Sequence, residues 1–179
     1  MKSSFSFALG LLVGVLPGFA GAVEGDVEKE LAAFAFEGVS LSMPQAEFLR
    51  RVDGLAPSRT DQETGVATYF TASPKNAAAA YYDLLDGKVQ RITIVYSAER
   101  LQDMGGWALV RDKLTERFGI PTRSKVDDEA AVWSWDAPRA SRRLLFIVMK
   151  NRTAAIFVDD TAGEKIIDKR KRKKLDLGF

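Results

Sequence analysis

The sequence predicts an α+β protein, an antiparallel sheet with helices packed mainly on one face. Three observations predict it. Several segments alternate apolar and polar residues with the period of two that a half-buried strand requires. Two others, "PQAEFLRRVDG" and "GGWALVRDKLTERFGIP", carry apolar residues three and four apart, the period of an amphipathic helix. This helix-then-strands pattern occurs twice, which suggests a tandem helix–β–β–β repeat. The resulting division is 1–22 for a secretory signal, 23–35 for an N-terminal lead, 36–160 for the α+β domain with repeats at 36–98 and 99–160, and 161–179 for a C-terminal helix and basic tail.

The chain opens on "MKSSFSFALGLLVGVLPGFAGAVEG". Lys2 is its only charge before Glu24, an apolar run covers Phe5 to Leu16, and Ala20-Gly21-Ala22 places small residues where a signal peptidase needs them. The run is shorter than the roughly 20 apolar residues of a bilayer span. Cleavage after Ala22 is expected, giving a periplasmic or secreted chain; retention of the run as an anchor is the alternative. "VEGDVEKELAAF" follows as a short acidic lead, a helix turn or a loose arm. In "FEGVSLSM", Val39, Leu41 and Met43 alternate as in a short strand. Pro44 suits the first turn of a helix, Phe48 and Val52 share a face with Leu49 beside them, and Gly54 can end it.

"VATYFTA" and "AAAYYDLLDGKVQRITIVYS" read as strands. The second folds about Asp86-Gly87, a pair that tolerates the positive φ needed at both central positions of a two-residue hairpin turn. In the second helix Trp107, Val110, Leu114 and Phe118 form one stripe, which places Trp107 in the core; Gly119 and Pro121 end it. "SKVDDEA" reads as a polar loop. "AVWSWDAP", "RLLFIVMKN" and "TAAIFVDDT" are three strands, with Asn151-Arg152 as the turn between the last two. "RLLFIVMK" is apolar on both faces, the pattern of a central, covered strand. "TAGEKIIDK" is expected to form a helix docked by Ile166 and Ile167. The rest projects as a solvated tail, so that cutting after Lys169 leaves stability nearly unchanged.

The chain has no histidine and no cysteine. That excludes Ser-His-Asp and Cys-His nucleophile systems and the usual nitrogen and sulfur ligands of zinc. It contains no GxGxxG fingerprint and no P-loop. No catalytic residue, metal ligand or cofactor is assigned, and the chain reads as a non-enzyme. Its charge is uneven. Residues 23–163 carry 18 basic and 21 acidic side chains, net −3, whereas 164–179 carry seven basic and three acidic, net +4. Lys169, Arg170, Lys171, Arg172, Lys173 and Lys174 are therefore candidates for contact with a polyanion, an anionic lipid or an acidic glycan. Nucleic acid is not expected to meet an exported protein. Trp133 and Trp135 lie two apart on a strand and so share a face. With Tyr69 on the corresponding strand of the first unit, they are candidates for a protein-binding platform, since aromatic pairs are enriched at binding hot spots. The competing assignment packs the tryptophans under a helix. The acidic groups Asp127 to Glu129 and Asp159-Asp160 read as solvated loops.

The two halves can be overlaid. "FLRRVDGLAP" and "KLTERFGIP" pair Leu49 with Leu114, Gly54 with Gly119 and Leu55 with Ile120, each 65 positions apart, and the same offset lays Asp86-Gly87 on Asn151-Arg152. Two helix–loop–three-strand units in tandem resemble the fold of β-lactamase inhibitor proteins, and a single unit resembles the small lipoproteins of outer-membrane assembly. "VSLSMPQAEFLRRVDG" and "LTERFGIP" are similar to phrases of many uncharacterised bacterial envelope proteins, over about residues 36 to 160. The resemblance implies binding or scaffolding and carries over no functional residue. Those inhibitors have disulfides and those lipoproteins an acylated cysteine, which this chain lacks. The expected function is an exported, non-catalytic protein-binding or envelope-scaffolding module with an envelope protein as partner. The alternative is an anionic membrane-surface or polyanion binder acting through the basic C-terminal tail.

Overall fold

A computed structural model describes Glu24 to Asp176 apart from Ser73, Lys75 and Asn76; the expected export signal lies outside the described residues. The first half contains α1 (Glu24–Ala32), β1 (Ala35–Phe36), β2 (Val39–Ser40), α2 (Gln45–Arg51), β3 (Ala56–Asp61), β4 (Val66–Ala72), β5 (Ala79–Leu85) and β6 (Lys88–Tyr96). The second contains α3 (Ala98–Asp103), α4 (Trp107–Phe118), β7 (Arg123–Val126), β8 (Ala130–Ala137), β9 (Arg142–Met149), β10 (Ala154–Asp160) and α5 (Thr161–Asp176). No described helix is long and apolar enough to cross a membrane.

The eight longer strands form one sheet in the order β3-β4-β5-β6-β10-β9-β8-β7. All of its pairs are antiparallel, as the fold class anticipated. Two runs of four meet where β6 pairs with β10, Ile94 opposite Ile156. Each half is therefore a helix followed by four strands, not three. The unforeseen strands, β3 and β7, are the two edges, and every one of their residues is exposed. With no face to bury, they have no apolar alternation, and "SKVDDEA" looked like a loop for that reason.

The 65-residue offset holds for elements but fails for side chains. Successive strand residues point to opposite faces, so an odd offset exchanges the faces. It lays Tyr69 on Ser134, which points away from the buried Trp133 and Trp135. An offset of 64 instead lays Tyr69 on Trp133, Tyr82 on Phe146 and Ile92 on Ile156, all of them on the helix-covered face. The turns differ too. Asp86 (φ 51°) and Gly87 (φ 72°) are both left-handed, whereas in the second turn Arg152 (φ 63°) is left-handed and Asn151 is not. There the Asn151 side chain accepts hydrogen bonds from the Thr153 backbone N–H and hydroxyl.

The core lies between the sheet and α1–α4. Phe48 of α2 packs on Tyr82 (ring centroids 5.1 Å apart) and edge-on to Tyr69 (5.6 Å). The acidic lead is not a loose arm: it is α1, docked on α4, β8 and β9. Its Leu31 is 1% exposed, a burial that contributes about 1.5–3 kcal/mol.

Candidate functional site

Strand parity separates two faces. Along β6, Ile92, Ile94 and Tyr96 are buried under the helices, so Arg91, Thr93 and Val95 occupy the other side. Register carries that side across the sheet. One row runs Phe70, Tyr81, Thr93, Phe157, Leu145, Ser134 and Arg123. The next, toward one end of the strands, runs Ala72, Ala79, Val95, Ala155, Ile147, Val132 and Lys125. The Phe70 and Tyr81 rings pack at a tilt of 35° with centroids 5.3 Å apart. Most of these side chains are partly exposed, and α1–α4 lie on the opposite face. The centre of the open face is thus apolar. β9, expected to be central and covered on both faces, is an interior strand next to the central β6–β10 pair, and its Leu145 and Ile147 stand on the open side.

Toward the other end of the strands the same face carries a line of alternating charge. Asp83, Arg91, Asp159, Arg143 and Asp136 stand opposite one another on β5, β6, β10, β9 and β8. Opposite charges directly across a sheet attract, by about 0.2–1 kcal/mol per exposed pair. Asp159 accepts from Arg91 and, at 2.9 Å, from Arg143. Asp83 accepts from the Thr68 hydroxyl at 2.6 Å. Burial opposes the charge on both guanidiniums, but the hydrogen bonds and charges of Asp159 and Glu164 outweigh it and hold them more firmly protonated. Asp159 and Asp160 are therefore buried ion-pair members, not a solvated loop. Asp160 points to the other side, where it pairs with Arg142 at 2.9 Å and accepts from the Ala162 N–H at the start of α5.

Helix α5 lies over this charged end. Glu164 bridges Arg91 (3.1 Å) and Arg143 (2.5 Å). Ile167, partly buried, lines a small cavity with Val66, Asp83 and Gln90. Arg170 donates to the Thr64 carbonyl (2.6 Å) and to both Asp86 carboxylate oxygens (2.9 and 2.8 Å). Two glycines give the helix room. A Cβ on Gly163 would collide with the Gln90 side chain, and one on Gly65 would stand 3.1 Å from the Arg170 guanidinium. The expected solvated tail is thus helical through Asp176, and the helix is held to the body as far as Arg170. Of its two isoleucines Ile167 docks, while Ile166 stays 44% exposed.

The candidate residues redistribute accordingly. Trp133 is 6% exposed and Trp135 is 0% exposed, on the helix-covered face. The Trp135 indole N–H donates to the Gly119 carbonyl at 2.8 Å. Tyr69 is partly buried on that face too, its hydroxyl accepting from Gln45 at 3.0 Å. The three are core residues, because their parity matches that of the buried Phe146 and Tyr82. Trp107, expected in the core, is 37% exposed: its ring lies on Trp133 (5.6 Å), which lies in turn on Phe146 (5.6 Å). In α5, Lys169, Lys171 and Arg172 are exposed, and Arg170 is turned inward. The side chains of Lys173 and Lys174 lie outside the described residues. The aromatic side chains of the open face, Phe70, Tyr81 and Phe157, were visible in the sequence as residues of opposite parity to Tyr69, Tyr82 and Val158.

No family model matches the chain, and no curated protein matches it. It is similar to a solved DUF4309 family protein, YjgB from Bacillus subtilis subsp. subtilis str. 168. The two are 11% identical, the match covers 76% of this chain and 94% of that one, and the TM-score is 0.40. YjgB is a distant structural neighbour.

Proposed function

We propose that the chain is an exported, non-catalytic protein-binding or scaffolding module of the cell envelope, and that its partner lies on the open sheet face. The observation that carries this reading is the apolar centre of that face, from Phe70 and Tyr81 through Val95 and Phe157 to Leu145 and Ile147. The edges are less suited to a partner. β3 holds Pro57 and a register shift beside it, and β7 is four residues long with Arg123 and Lys125 on it. Both are devices that discourage strand addition.

The test replaces Tyr81, Leu145 and Phe157 by serine together. The variant is expected to stay folded, at a cost of about 1 kcal/mol or less for each side chain, because all three are already partly in water. It is expected to lose a partner that the parent captures from its own envelope fraction. Equal capture by a folded variant would refute a role for the open face.

A second reading, contact with a polyanion through α5, is favoured by one observation. Lys165, Lys169 and Arg172 are exposed and have no ion-pair partner among the described residues.

A further inference from the structure

We infer that the outward face of α5 docks on an anionic bilayer surface, with Lys165, Lys169 and Arg172 meeting the headgroups and Ile166 entering the interface. This rests on the second reading and names its ligand. The helix has an inner and an outer side. Gly163 lies against Gln90, Ile167 lines the cavity between helix and sheet, and Arg170 bonds the Thr64 carbonyl. Lys165, Lys169 and Arg172 each follow one of those three by two residues. At about 100° per residue, two residues place a side chain on the opposite side of a helix. The anchors therefore aim the three cations away from the body and hold them in one line.

The inner charges are not available to a ligand. Glu164 is taken up by Arg91 and Arg143, and Arg170 by Asp86 and the Thr64 carbonyl. Asp168 stands beside the outer line, and with it the three cations sum to +2. Such a line attracts any polyanion; Ile166 decides between ligands. It is a large apolar side chain, 44% exposed, three residues before Lys169 and so its neighbour on the helix surface. A soluble polyanion offers it nothing. A bilayer accepts the apolar side chain at the depth where the cations meet phosphate, as interfacial helices do.

The experiment is co-sedimentation of the full chain with phosphatidylcholine vesicles and with vesicles containing phosphatidylglycerol, alongside binding to immobilised heparin. The N-terminal apolar run is a constant background in every variant. Binding to anionic vesicles is expected to fall about fivefold per cation removed and about a hundredfold in Lys165→Gln/Lys169→Gln/Arg172→Gln, with no change on neutral vesicles. Ile166→Ser should weaken binding to anionic vesicles and leave heparin binding intact. A triple variant that keeps parental binding to both anionic vesicles and heparin overturns the second reading itself. An Ile166→Ser protein that keeps full vesicle binding, while the triple variant loses heparin, overturns the bilayer assignment and leaves a soluble polyanion as the ligand. Unchanged melting temperatures of both variants confirm that α5 stays docked.

Discussion

The two faces of the sheet are built from the same strands and alternate residue by residue, yet they differ in kind. Under the helices stand Tyr82, Trp135, Phe146, Ile92 and Val158, all essentially inaccessible. On the other side the middle rows are apolar but partly in water, and the charged line is capped by α5 alone. The comparison teaches that apolar alternation reports which residues share a face and leaves open what covers it. Phe157 and Val158 are neighbours in sequence, similarly apolar, and end on opposite sides of that distinction.

The largest effect should come from equal truncations on the two faces. Trp135→Ala removes a fully buried ring and orphans the Gly119 carbonyl, at a cost of about 3–5 kcal/mol. Phe157→Ala, on the open face, should cost about 1 kcal/mol or less. Urea unfolding of both variants measures the difference; comparable losses would mean that the open face is packed as tightly as the core.

A smaller effect separates the faces by pH. Burial pushes the Tyr82 phenol up to about 12, and its hydroxyl has no hydrogen-bond partner among the described residues. Above pH 10 the unfolded chain releases this proton while the native one keeps it. Stability is therefore full below the unfolded value and falls as pH rises from about 10 to 12, by as much as about 2–3 kcal/mol. Tyr82→Phe should be nearly neutral at pH 7 and should flatten that fall when thermal unfolding is followed across the range. Tyr96, also raised by burial, should leave a residual slope.

The smallest effect concerns α5. The Arg170 side chain is 35% exposed, so the loss of its bonds in Arg170→Ala should cost about 1 kcal/mol, not the larger amount of a buried ion pair. Truncation after Lys169 removes the same anchor and should lower the melting temperature similarly. An unchanged melting temperature would restore the solvated tail that the sequence suggested.

Most of the sheet was legible beforehand. β4, β5, β6, β8, β9 and β10 each bury one face, and a buried face imprints a period of two. β3 and β7 left no such imprint because both of their faces meet solvent. The charged line was hidden for a different reason. Asp83, Arg91, Asp136, Arg143 and Asp159 are unremarkable polar positions in their own strands, and only the register aligns them. The platform was sought on Trp133 and Trp135 because aromatic residues of one parity mark a face without naming its cover.

Local chemistry settled the strand and helix periods, the left-handed Asp86-Gly87 turn and the absence of thiol and imidazole chemistry, since each depends on residues within a few positions. Long-range contact settled the rest. Arg170 finds Thr64 and Asp86 at separations of 106 and 84 residues, and Glu164 finds Arg91 at 73. No period or motif encodes such a meeting. Through these pairs a run of basic residues becomes a docked helix with three cations turned outward, because favourable charge contacts on one side fix the direction of the other.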